Sequence, residues 1–166
     1  MMPAVMYDFS SSDIRLGVEA QNKHDLLDLL AGEAASRLQL PESEILDALA
    51  TREELGSTAL GKGVALPHAQ LQEAERPVVL FARLRRAIEF DARDGEPVDL
   101  VVLFLWPKTA TKALLGTMAE MCRVLREPTL LRKLRRAERP DEIAKLLNEQ
   151  LAATALRHEP DEDFPV

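Results

Sequence analysis

The chain has 166 residues, of which 46% are apolar, 30% charged and 4% aromatic. This composition provides enough apolar residues for one packed core and excludes a chain that is disordered throughout. The net charge of −7 argues against nucleic-acid binding, which usually needs a basic stripe, and against docking on an anionic membrane surface. The single cysteine, Cys122, excludes an internal disulfide framework and fits a reducing compartment.

Both ends of the chain are expected to lie outside the folded domain. Residues 1–12 predict a poorly ordered N-terminal arm and residues 153–166 an acidic tail, which leaves residues 13–152 as one domain. The N-terminus lacks the basic and apolar regions of a secretory signal. The longest apolar run, residues 100–106, is far shorter than the roughly 20 residues of a membrane-spanning helix. We therefore expect a soluble, cytoplasmic protein.

The first third of the domain predicts one strand and two helices. Apolar residues alternate with others over residues 14–18, which is the pattern of a half-buried strand. Asn22 is a suitable N-cap for a first helix, whose leucines and alanines recur at helical spacing up to residue 38. Pro41 is suited to open a second helix, which Gly56 ends near residue 55.

The rest of the domain predicts further strands followed by helices. A glycine-rich loop leads into a very short strand over residues 64–66, which Pro67 ends. Two apolar runs, 78–84 and 98–106, predict strands joined by a bend, and the second run indicates burial on both faces. Three helices are expected over about 110–125, 128–136 and 140–152. This order predicts an α/β fold with a single mixed β-sheet flanked by helices on both faces.

The glycine-rich segment 56–62 matches the first part of a phosphate-binding P-loop pattern. The pattern then requires Ser or Thr to bind magnesium, but residue 63 is glycine. A P-loop also follows a buried strand and opens a helix, whereas this segment follows the polar end of a helix and precedes a strand. We therefore interpret it as a loop that needs glycine for its backbone dihedrals, and we expect no nucleotide cofactor.

His68 follows Pro67 at the exit of the predicted short strand, beside the glycine-rich loop. A neutral imidazole is a nucleophile near pH 7, and the loop backbone allows a ligand to approach closely. The alternative is a loop histidine that makes only local hydrogen bonds, and position alone does not separate the two interpretations. His24 and His158 are distant in sequence, so we expect no metal site.

Arg52 lies at the end of the predicted second helix, just before the loop. One interpretation is that its cation complements the helix dipole, an effect of roughly 0.3–1 kcal/mol. The other is that its guanidinium is directed at an anion bound in the loop, because the two N–H groups of arginine match the oxygen geometry of a phosphoryl group.

Residues 51–69, TREELGSTALGKGVALPHA, strongly resemble the signature of the type-2 IIA domains (fructose/mannitol family) of the bacterial phosphotransferase system. This family includes the nitrogen-regulatory IIA proteins, which the chain resembles most. A weaker resemblance extends over roughly residues 10–150.

The resemblance implies a phosphocarrier that works without a cofactor. His68 matches the family's phospho-accepting histidine, Arg52 its active-site arginine, and Thr58 a loop threonine near the phosphoryl group. The donor would be an HPr-type phosphoprotein, and Nε2 of His68 would carry the phosphoryl group while Nδ1–H donates to a carbonyl. Positioning and charge stabilisation suffice for such a transfer.

One position departs from the family pattern. Many members carry a second histidine in the helix after the central strand, and by register from Pro107 that position here is Leu114. A leucine side chain cannot hydrogen-bond phosphoryl oxygens, so phosphorylation would be weaker or the role purely regulatory. Thr111 and Lys112 are the nearby residues that would compensate.

Three functions are carried forward from the sequence. The first is a regulatory IIA protein that reports nitrogen, carbon or potassium status by phosphorylation-dependent binding to transporters or sensor kinases. The second is a sugar-specific IIA component that relays phosphate to a separate permease. The third is a binding module of the same fold that is not phosphorylated, which Leu114 keeps open. None involves nucleic acid or membrane insertion.

Overall fold

The computed structural model describes residues 7–157 of the chain. Within them, six strands form one sheet: β1 (Ile14–Val18), β2 (Ala59–Gly61), β3 (Val64–Ala65), β4 (His68–Leu71), β5 (Val78–Ile88) and β6 (Val98–Pro107). The helices of the same residues are α1 (Lys23–Leu38), α2 (Glu42–Glu54), α3 (Thr111–Val124), α4 (Pro128–Arg136) and α5 (Pro140–Arg157). The predicted α/β class with one mixed sheet is confirmed.

The long antiparallel pair β5–β6 forms the middle of the sheet, whose strand order is β1-β5-β6-β3-β2. The pairing places Leu80 opposite Leu103, and the predicted bend over residues 91–96 lies in the connection between the two strands. From residue 100 to residue 105 every side chain of β6 is fully buried, so both faces of this strand are covered, as its unbroken apolar run predicted.

The two helices of the first third form as predicted. The Asn22 side chain accepts a hydrogen bond from the Asp25 backbone N–H and caps α1, while Pro41 precedes the first turn of α2. Apolar side chains of α1 and α2 share one buried cluster with the sheet, and its members include Leu26, Leu30, Ile45, Leu49, Leu80, Leu103 and Leu105. α2 ends at Glu54, and Arg52 lies in its last turn.

The structure corrects the prediction for the strand before His68. A strand over residues 64–66 was expected to end at Pro67, but β3 stops at Ala65 and a second strand, β4, begins at His68. Both short strands run parallel to β6, with His68 opposite Phe104. Proline lacks an N–H but keeps its carbonyl, which accepts from the Phe104 N–H at 3.0 Å, so pairing resumes immediately after it.

The chain divides into two compact units, residues 15–111 and a second unit whose described parts are residues 7–14 and 112–157. In the second unit, Phe9 is buried and its backbone N–H and carbonyl bond the Asn148 side chain at 2.8 and 2.9 Å. Residues 9–12, expected in a poorly ordered arm, are therefore held in place. Residues 1–6 lie outside the described residues.

The C-terminal helix is longer than expected. The sequence predicted an end near residue 152 and an acidic tail from residue 153, whereas α5 continues to Arg157. Thr154 is buried in this extension, which gives the added turn a packed side. Residues 158–166 lie outside the described residues. None of the described helices has the length and hydropathy needed to cross a membrane.

Candidate phosphoryl-transfer site

His68 begins β4, and the alternation of this strand decides which way its ring points. Ala69 and Leu71 are buried and belong to the core cluster formed with α1 and α2. Because successive strand residues point to opposite faces, His68 and Gln70 lie on the other face, where both are half-buried. The ring is thus held by a rigid element and still reaches solvent.

Both nitrogens of the His68 ring have hydrogen-bond partners. Nδ1 lies 3.0 Å from the carbonyl oxygen of Leu66, and Nε2 lies 3.2 Å from Nε of Arg52. Since a guanidinium only donates, Nε2 must accept and carries a lone pair. Nδ1 therefore bears the proton and donates it to Leu66, which fixes a neutral tautomer with the lone pair at Nε2.

The surroundings of His68 favour this neutral ring. Burial lowers the pKa of His68 below its usual value, and the nearby Arg52 cation lowers it further, while the Leu66 carbonyl and the Glu53 carboxylate oppose the shift. An imidazole with a lowered pKa is unprotonated at neutral pH. It is then available as a nucleophile without a separate general base.

Arg52 is positioned by the end of α2 and by the first residues of the loop. Its Nη1 donates to the Gly56 carbonyl oxygen at 3.0 Å, and its Nε donates to the His68 ring. These contacts agree with the first interpretation of Arg52, and its direct contact with an anion stays a prediction. The guanidinium caps a carbonyl beyond the helix end, and it stands beside the nitrogen where an anion would arrive.

The glycine-rich segment is a β-hairpin and not a P-loop. Lys62 and Gly63 form a two-residue turn between β2 and β3, with φ values of 57° and 81°. Positive φ at both positions matches a turn that follows the twist of the strands, and glycine adopts it without strain. The Asp94 carboxylate accepts from the Lys62 backbone N–H at 2.8 Å and holds the turn.

Thr58 lies at the entry of this hairpin and is buried. Its hydroxyl donates to the Glu53 carboxylate, and its carbonyl accepts from the Leu66 N–H at 3.0 Å. A hydroxyl has one proton, which here is committed to Glu53. Direct contact between Thr58 and a phosphoryl group stays a prediction, and the structure gives Thr58 a role in joining the hairpin to α2.

Two charged neighbours of the site were missed in the sequence. Glu53 is buried, and Lys23 of α1 reaches its carboxylate at 3.0 Å and that of Asp91 at 3.2 Å. The Lys23 ammonium also lies 4.7 Å from the centre of the Phe90 ring. Glu53 adjoins Arg52 in the quoted signature and could have been identified there. Lys23 is thirty residues away, and no local pattern marks it.

Leu114, the residue at the expected position of a second histidine, is buried in α3. Of the two residues expected to compensate, Thr111 lies in the same unit as His68 and bonds the Gln70 side chain at 2.6 Å. Lys112 is exposed. Within residues 7–157, no group of three or more His, Cys, Asp or Glu side chains is arranged to hold a metal ion.

Comparisons with known proteins agree on one family. Residues 9–150 match the model described as phosphoenolpyruvate-dependent sugar phosphotransferase system, EIIA 2. The chain is 37% identical to a nitrogen regulatory protein of Escherichia coli over 136 residues, 81% of this chain and 83% of the relative. It is 29% identical to the E. coli fructose-like EIIA component, over 89% of this chain and all of the relative.

A solved structure supports the same assignment. The nitrogen regulatory protein IIA-Ntr from Neisseria meningitidis superposes with a TM-score of 0.81 at 29% identity, covering 83% of this chain and 94% of that protein. The likeness therefore extends over most of the fold that carries Arg52 and His68.

Proposed function

Because the chain belongs to the EIIA type-2 family of the phosphoenolpyruvate-dependent sugar phosphotransferase system, we propose that it is a phosphocarrier whose phosphoryl group sits on Nε2 of His68. The observation that carries the proposal is the hydrogen-bonded ring. Leu66 holds the proton on Nδ1, and Arg52 marks the lone pair on Nε2. The donor is an HPr-type phosphoprotein, and the protein works in the cytoplasm.

The proposed step exchanges one N–P bond for another. The lone pair of His68 Nε2 attacks the phosphorus of the donor's phosphohistidine, and the bond to the donor ring breaks with its electron pair returning to that ring. Neutral imidazole is consumed as the nucleophile, so no proton has to leave Nε2. Charge on the transferring group is the main barrier that the protein can lower.

Arg52 has two partners in succession in this scheme. Before transfer, the Arg52 Nε–H donates a hydrogen bond to the lone pair of His68 Nε2. This bond must break as the phosphorus atom approaches Nε2. The incoming phosphoryl oxygens are the stronger acceptors, because a charge-assisted hydrogen bond exceeds one to a neutral ring. The bond from Nη1 to the Gly56 carbonyl keeps the guanidinium in place during this exchange.

We assign the phosphorylated and free forms a regulatory role. A phosphoryl group adds about −1.5 to −2 charges at neutral pH, which is enough to change which surface the site binds. Relatives named nitrogen regulatory protein support this assignment. Targets of the kind expected from the sequence, transporters or sensor kinases, would bind one form in preference to the other.

Intact mass spectrometry after incubation with a phosphoenolpyruvate-driven relay tests the proposal. We expect one acid-labile, base-stable phosphoryl group on the wild type and none on His68→Ala. His24→Ala is the matched control, since His24 is exposed on α1 and should leave the mass gain intact. An unmodified wild type in the presence of an active donor would contradict the proposal.

The likeness to the fructose-like EIIA component favours a second candidate, a sugar-specific IIA protein that relays the phosphoryl group to a separate permease. The two functions differ in the fate of the phosphoryl group once His68 carries it. Transfer from the loaded protein to a IIB-type partner, measured as loss of its mass gain, would favour the relay. A loaded protein that keeps its phosphoryl group but changes its target binding would favour regulation.

A further inference from the structure

Gln70 is the next residue after His68 on the same face of β4. Two residues along a strand span about 6.6 Å, and alternation points both side chains the same way. Like His68, Gln70 is half-buried, between the buried residues Ala69 and Leu71. A group bound to the His68 ring therefore lies on the face of β4 from which the Gln70 side chain also projects.

The orientation of the Gln70 amide follows from its partner. The Thr111 hydroxyl donates its one proton to the Lys108 carbonyl oxygen at 3.2 Å, so toward Gln70 it can only accept. The Gln70 amide nitrogen lies 2.6 Å from the Thr111 oxygen and donates to it, which agrees with a hydroxyl proton directed at Lys108. One of the two N–H bonds is used in this contact, and among residues 7–157 the other has no protein acceptor.

A phosphoryl group on His68 needs donors beyond Arg52. Its three oxygens share a charge near −2, and each fixed N–H directed at them stabilises that charge. Leu114 stands where the family resemblance places a second histidine, and its side chain offers no donor. Because one amide N–H of Gln70 bonds Thr111, the direction of the second N–H is fixed as well.

We infer that Gln70 is a phosphoryl-binding residue of this site and that Thr111 positions its amide. This inference rests on the proposed function, because it concerns the phosphorylated form of His68. Gln70 donates its free N–H to a phosphoryl oxygen while keeping its bond to Thr111. The chain thereby replaces the imidazole donor expected in the helix with an amide donor on the strand.

The lifetime of the phosphohistidine tests the inference. Potassium phosphoramidate transfers a phosphoryl group to imidazole without a protein donor, so the measurement does not depend on an HPr-type relay. We expect Gln70→Ala to hydrolyse about tenfold faster than the wild type, the effect of losing one charge-assisted hydrogen bond. Gln70→Glu should be faster still, since it adds a like charge.

Two further variants separate binding from structure. Gln70→Lys returns a donor with a cation and should restore a lifetime at least equal to that of the wild type. Gln72→Ala is the matched control, because Gln72 is exposed and lies beyond the end of β4. Thr111→Val, which leaves the amide present but unoriented, should shorten the lifetime less than Gln70→Ala does.

Nuclear magnetic resonance gives a direct readout. On phosphorylation, one of the two side-chain amide protons of Gln70 should shift downfield, while those of Gln72 stay in place. Equal lifetimes of the phosphorylated wild type and Gln70→Ala, with no shift at Gln70, would overturn this inference and leave the proposed function standing. A wild type that accepts no phosphoryl group from either phosphoramidate or the relay would overturn both.

Discussion

The two ends of α2 carry carboxylates in opposite surroundings. At the N-terminal end, Glu42 is exposed and faces another acid, and a hydrogen bond with Asp28 raises the pKa of Glu42. At the C-terminal end, Glu53 is buried, forms an ion pair with the Lys23 ammonium and accepts a hydrogen bond from the Thr58 hydroxyl. The same residue type is thus a surface charge at one end and the centre of a polar network at the other.

What separates the ends is the number of elements that depend on each carboxylate. Glu42 contacts α1 through Asp28, another acid, by a hydrogen bond on the protein surface. Glu53 joins α1, α2 and the hairpin entry, and it is the neighbour in sequence of Arg52. We therefore expect the arrangement around His68 to depend on the buried contacts of Glu53 and not on the acidic end of the helix.

The largest effect is expected for Glu53→Ala. Removing this carboxylate leaves the Lys23 ammonium, which is 20% exposed, and the buried Thr58 hydroxyl without it. Breaking a buried pair typically costs 3–5 kcal/mol, and the partial exposure of Lys23 reduces this to about 2–3 kcal/mol of unfolding free energy. Chemical denaturation measures the loss.

Glu42→Ala is the control for this prediction at the other end of the same helix. It removes a like-charge contact with Asp28 and should not destabilise the fold. If the two variants lost equal stability, the contrast between the helix ends would be wrong.

Arg52→Ala is expected to slow phosphoryl acceptance by about 10²-fold without abolishing it, as is usual when one donor to a developing charge is removed. Arg52→Lys should recover part of the rate, since a lysine keeps the charge but not the planar donor geometry. Quench-flow with mass detection measures both, and an unchanged rate in Arg52→Ala would remove Arg52 from the site.

The same variant makes a prediction about pH. Burial and the Arg52 cation both lower the pKa of His68, so the neutral nucleophile persists below the usual titration range of histidine. Acceptance by the wild type should therefore fall only as the pH drops through that lowered pKa. Without the Arg52 cation the pKa rises, and the fall should begin at a higher pH. Identical profiles would contradict this electrostatic role.

A smaller effect is expected for Thr58→Val. The valine keeps the shape of the side chain but removes the proton that Glu53 accepts, which costs about 1–2 kcal/mol of unfolding free energy. Thr58→Ser keeps the hydroxyl and is the matched control for its loss. If Thr58→Val instead abolished phosphoryl acceptance at unchanged stability, the direct contact predicted from the sequence would be favoured over an anchoring role.

The residues in these predictions differ in how far the sequence alone could identify them. The helix bounds near Asn22 and Pro41 were predictable because capping and proline placement act locally. The start of β4 at His68 was not, because it depends on pairing with β6 more than thirty residues later. From the residue pattern, His68 and Arg52 each had two possible interpretations. The family resemblance then supplied an expected role for each.

The network around Glu53 was invisible for the same physical reason. Lys23, Glu53 and Asp91 are brought together by the packing of separate elements, and no period within one element records such a meeting. The Gln70–Thr111 pair likewise depends on β4 lying beside the end of β6. The sequence shows which residue types are present and their local pattern, whereas strand pairing and packing determine which of them come into contact.

The smallest expected effect concerns the acidic end of α2 and its dependence on pH. Because the pKa of Glu42 is raised in the folded protein, the folded state binds a proton more readily than the unfolded chain. This adds stability that is fully present below the unfolded pKa and is lost as the pH rises through the folded one. Glu42→Gln cannot titrate, so its stability should vary less with pH than that of the wild type across this range. If the unfolding free energies of the two proteins changed equally with pH, the Asp28–Glu42 contact would make no contribution to stability. The contrast between the helix ends would then rest on Glu53 alone.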